Sequence, residues 1–83
     1  MKEATIKELL KSEFSEPTSL EWLARKKASI SGFWHGYCTA KSLDADTRMK
    51  GFEVIADWDE KQFNRIWKTL TQAEKLAAAN KRI

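Results

Sequence analysis

Eighty-three residues, 42% hydrophobic and 33% charged, fit one folded domain with a single modest core. A formal charge of +3 leans basic without the excess of dedicated nucleic-acid binders, and acidic residues read as interspersed among the basic ones. Three glycines and one proline are too few for a sandwich or barrel, and one cysteine rules out a disulfide scaffold.

Thr5 and Glu8 have the spacing of a capping box, followed by Ile6, Leu9, Leu10 and Phe14 at helical intervals. This predicts a short amphipathic helix that stops by Ser15 or Glu16, ahead of Pro17. Thr18 and Glu21 repeat the spacing and predict a second helix, with Leu20, Leu23, Ile30, Trp34 and Tyr37 on one arc. Lys26 and Lys27 project into that arc, so either they snorkel or the helix breaks near Ala28 and Ser29. Ala28, Gly32, Gly36 and Ala40 recur every four residues as a stripe almost free of side chain. Such a stripe lets another helix approach closely, and packing within the chain is its expected use.

Residues 31–58 have two readings. Phe52, Val54, Ala56 and Trp58 alternate, which allows a hairpin between 31–39 and 51–58. Met49, Phe52, Ile55 and Ala56 also fit a helix entered through Ser42, Asp44 and Asp46, and that reading is preferred. Asp59 is expected to cap a further helix bearing Phe63, Ile66, Trp67 and Leu70. Thr71 and Glu74 give a third capping-box spacing, which opens a final helix with Ala73, Leu76, Ala77 and Ala79. Lys81 and Arg82 suit the negative end of that helix. The expected fold is therefore all-α, a small compact bundle of four to five helices spanning 1–83 as one domain. An α+β fold with the hairpin is the alternative.

Reaction machinery is sparse. His35 and Cys38 lie three apart and could face one another on a helix, but one histidine and one cysteine fall short of a zinc site. The bland reading makes Cys38 a small buried hydrophobe. Asp44 and Asp46, and then Asp57, Asp59 and Glu60, are better explained as caps of new helices than as paired acid–base carboxyls. Gly32 and Gly36 lack the lysine and strand–helix context of a phosphate loop. The expectation is no enzyme, no metal and no cofactor.

The leading expectation is a small interaction protein that binds and regulates or inhibits a larger protein partner. Trp22, Phe33, Trp34 and Tyr37 are its contact residues, because large rings dominate interface centres and a chain this short cannot bury them all. A homodimer is a further option. The alternative is a nucleic-acid-binding regulator using Arg25, Lys26, Lys27, Arg48 and Lys50, with Lys41 beside them. With no apolar run near the roughly 18–20 residues of a membrane span, and no signal-peptide pattern in residues 1–5, the expected setting is the cytoplasm, away from membranes.

Overall fold

A computed structural model describes residues 1–82, with side chains described through residue 80. The dipole role expected of Lys81 and Arg82 thus lies outside the described side chains. Among the described residues four helices follow in order: α1 (Glu3–Leu10), α2 (Leu20–Ala40), α3 (Ala45–Trp67) and α4 (Gln72–Arg82). One 3₁₀ turn, Lys11–Glu13, extends α1. The all-α reading holds. The hairpin alternative fails, because residues 31–39 and 51–58 belong to two different long helices and no strand occurs among the described residues.

The molecule is elongated, 46 × 22 × 17 Å, since α2 and α3 run 21 and 23 residues without interruption. No break occurs near Ala28. Lys27 instead reaches across to Asp59, with Nζ 3.3 Å from the carboxylate, and that pair disposes of two sequence expectations. Lys27 snorkels, and Asp59 serves mid-helix as its partner rather than as a cap.

Ile6, Leu10, Ile30, Trp34, Cys38, Val54 and Ile55 form the core, drawn from α1, α2 and α3. Trp34 is its largest member and is fully buried. A ring of this size removes up to about 250 Å² from water, roughly 6 kcal/mol gross at about 25 cal/mol per Å². Its indole packs directly against Gly51 of α3, where a Cβ would overlap the ring atoms Cε2, Nε1 and Cζ2. Its Nε1–H, which burial would otherwise leave unpaired, donates to the Arg48 carbonyl at 3.0 Å. The same residue's guanidinium turns back to the end of α2, donating from Nε to Leu43 O at 3.0 Å and from Nη2 to Cys38 O at 3.4 Å.

That α2 end is a Schellman motif. Leu43 N–H donates to Cys38 O and Ser42 N–H to Thr39 O, with Ser42 in the left-handed region at φ 53. Leu43, the residue after the reversal, packs on the core. Asp44 then caps α3 by accepting from the Thr47 amide at 2.8 Å.

Capping elsewhere departs from the sequence reading in two places. Thr5 does not cap α1; the helix starts two residues earlier, with the Lys2 carbonyl accepting from Thr5 and Ile6. Ser19, not Thr18, caps α2. The Arg65 guanidinium holds the Pro17 carbonyl at 2.6 Å, and Ser19 stays extended, so the helix begins only beyond it. The third box is formed as read: Thr71 N–H donates to Glu74 Oε1 at 3.0 Å and Glu74 N–H to Thr71 Oγ1 at 3.2 Å.

The small-residue stripe is a correction of a different kind. Ala28, Gly32, Gly36 and Ala40 are all exposed, and no atom lies within 4 Å of a Cβ built at either glycine. Packing within the chain is not its use; the glycine that accepts a close neighbour is Gly51.

Gly51→Ala should therefore lower stability by about 3 kcal/mol or more through overpacking. Gly32→Ala and Gly36→Ala should each raise it by about 0.5–1 kcal/mol through helix propensity. Urea denaturation followed by circular dichroism separates the two directions. A second expectation concerns acid. Hydrogen bonds from Thr47, side chain first and then amide, hold Asp44 below the usual carboxylate range, and the Thr71 amide and hydroxyl do the same for Glu74. Depressed folded values mean this stability is complete above the unfolded values of about 3.9 and 4.3 and is lost as pH falls through the folded ones. Asp44→Asn with Glu74→Gln keeps cap acceptors without that titration, so the urea midpoint of the double variant should fall less steeply below about pH 4.

Candidate functional site

The four contact rings expected from sequence separate into distinct environments. Trp22 in the first turn of α2 is 50% exposed, and Phe33, about three turns further along, is 44% exposed. Tyr37 is half-buried and stacks on both neighbours, 6.5 Å from Phe33 and 5.8 Å from Trp34 between centroids. Trp34 is not a surface residue at all. Its full burial on Gly51, with its indole N–H already paired, leaves nothing for a partner. The ladder Phe33, Tyr37, Trp34 therefore runs from solvent to core, and only its outer end can touch another molecule.

Trp22 and Phe33 share one side of α2. Eleven residues is close to three full turns, so the rings project within about 20° of each other and about 16 Å apart along the axis. Residues 22, 26, 29, 33, 36 and 40 alternate steps of four and three, which is the spacing of a helix-pairing seam. In this chain they are Trp22, Lys26, Ser29, Phe33, Gly36 and Ala40.

Sequence reasoning missed a second exposed apolar group. Met49 and Phe52 of α3 are 63% and 39% exposed, although periodicity had placed them with the buried Ile55. The signal lay in Gly51. Once its side of α3 is fixed as the core, Met49 and Phe52 fall about 160° and 100° away from it. Leu76 of α4 is also 65% exposed.

Three of the five basic residues have partners within the chain. Arg25 pairs with Glu21 at 3.1 Å, Lys27 with Asp59 at 3.3 Å, and Arg48 is committed to the carbonyls of Leu43 and Cys38. Lys26 is half-buried on α2 and Lys50 exposed on α3. Charge is nonetheless segregated along the chain, contrary to the interspersed reading. Residues 22–43 hold four cations and no acid, whereas residues 44–60 hold six acids and two cations.

The remaining chemical candidates are dispersed. His35 is exposed while Cys38 is fully buried, so they do not face each other across a shared site. Burial pushes the Cys38 thiol up, against the opposing pull of the Arg48 guanidinium, which disfavours the thiolate a nucleophile needs. Asp44 is a cap, Asp57 pairs with Lys61 at 3.0 Å and Asp59 with Lys27. Among the described residues no three histidine, cysteine or acidic side chains gather as metal ligands, and no helix is long and apolar enough to cross a membrane. Open grooves among the described residues include two. One of about 500 Å³ runs between α4 and the start of α2, past Leu20, Ala24, Leu70, Ala77 and Ala78. The other, about 340 Å³, lies between α1 and α3 beside Phe14 and Trp58, whose rings stack at 5.2 Å.

Native Cys38 should react with an aromatic disulfide reagent at least about a hundredfold more slowly than in denaturant, because access requires the core to open; absorbance of the released thiolate reads the rate. Comparison of the chain with protein-family models, curated proteins and solved structures finds no match.

Proposed function

We propose that this chain is a non-catalytic binding protein whose outer α2 face docks on a larger protein and regulates or inhibits it. One observation carries the reading: Trp22 and Phe33, 50% and 44% exposed, stand on the same side of a long uninterrupted helix. Exposed rings are a solubility liability unless something covers them, and aromatic anchors of this kind dominate interface energetics. Tyr37 forms the inner wall of the contact, held by its stack on Trp34. Lys26 between the two rings steers an encounter with a negatively charged surface.

Three of the five basic residues of the nucleic-acid reading are engaged within the chain. The two exposed rings are also too far apart for stacking on successive bases, so a protein partner is favoured.

Trp22→Ala with Phe33→Ala should weaken partner binding at least about a hundredfold while leaving the melting temperature within a few degrees, because neither ring belongs to the core. Co-purification from the source cells followed by calorimetric titration of the isolated pair measures this; unchanged affinity would remove the α2 face from the interface. Titrating generic DNA and RNA at two ionic strengths checks the other reading, since phosphate binding weakens steeply with salt.

A further inference from the structure

We infer that copies of this chain associate through unlike faces, the basic aromatic seam of α2 on one copy seating on the acidic seam of α3 on the next. The α3 seam consists of Asp46, Met49, Glu53, Ala56 and Glu60, which alternate steps of three and four and are all exposed. Phe52 stands beside them, and Met49 is the most exposed ring or methionine outside α4. This is the same helix-pairing interval as Trp22, Lys26, Ser29, Phe33, Gly36 and Ala40 on α2. Each seam has exposed apolar anchors that its own core leaves uncovered.

Charge selects the pairing. The α2 seam carries Lys26 within a stretch of 22 residues that holds no acid, and the α3 seam carries three carboxylates and no cation. Like faces set against each other would bring cation to cation or acid to acid. Unlike faces set parallel bring Lys26 toward Glu53 and seat Trp22 on Met49 and Phe52. Asp46, Glu53 and Glu60 take part in none of the four ion pairs formed among the described residues. The contact is heterologous, so each copy offers one face of each kind.

This inference shares the α2 face with the reading above but needs no outside molecule, and the two can fail separately. Sedimentation of the full chain near about 1 mM at low salt should give a weight-average mass at least about 1.5-fold the monomer's, the range of a weak contact. At about 1 M salt, where charges are screened within about 3 Å, the mass should return to the monomer value of 9.6 kDa. Lys26→Glu with Ser29→Glu, both on the α2 seam, makes both faces acidic, and Glu53→Lys with Glu60→Lys makes both basic. Each double variant alone should stay monomeric with its melting curve intact, and an equimolar mixture should associate again. A monomeric wild-type chain, or a mixture that stays monomeric, overturns the inference. A monomer that still captures a larger protein through Trp22 would sink only this inference. Self-association by a chain whose partner ignores Trp22 and Phe33 would sink only the docking reading.

Discussion

Trp34 lying on Gly51 is the contact around which the bundle is organised. The indole fills the space between α2 and α3, and it can do so only because α3 presents no side chain at that point. Closeness then brings its N–H within reach of the Arg48 carbonyl, which satisfies the one polar atom of an otherwise apolar ring. Arg48 extends the joint by closing the C-terminal carbonyls of α2 with its guanidinium, where a cation also complements the helix dipole. Backbone and side chain of a single residue thus tie the buried ring to the α2–α3 turn. The spacing of α2 and α3 and the geometry of the turn between them follow from that joint.

Element type was legible because apolar residues recur at helical intervals through almost the whole chain. What the pattern could not resolve was which glycine meets a neighbour. Gly32 and Gly36 attract notice by their regular spacing, yet that spacing arises on the solvent side of α2. Gly51 stands alone in its helix, and its importance depends on a ring seventeen positions earlier that only the fold brings to it. Caps show the same dependence. The Thr71 and Glu74 pair forms locally, with no competing tertiary contact, and the sequence alone suffices for it. At Thr18 the cap passes one residue on to Ser19, next to the Pro17 carbonyl that Arg65 holds from 48 positions away.

The candidate site was half legible for similar reasons. Trp22 and Phe33 are exposed as their spacing allows, whereas Trp34 shares the buried arc with Leu23, Ile30 and Cys38, and its partner glycine decides the matter. How the basic residues are engaged could not be read from residue type, which says nothing about geometry. Arg25 and Lys27 find carboxylates at distances of 3.1 and 3.3 Å, and Arg48 turns inward to carbonyls. The surface left over is a pair of helix faces of opposite charge, each with large apolar side chains in water.

Position 51 admits a hydrogen atom and nothing larger, while positions 32 and 36 have open solvent above them. Natural drift should therefore erase the conspicuous glycines of α2 quickly and leave the inconspicuous one of α3 untouched. Distant cousins of this chain would be recognised by a tryptophan, an arginine and a glycine kept at the separations of Trp34, Arg48 and Gly51, even after every surface residue has been replaced.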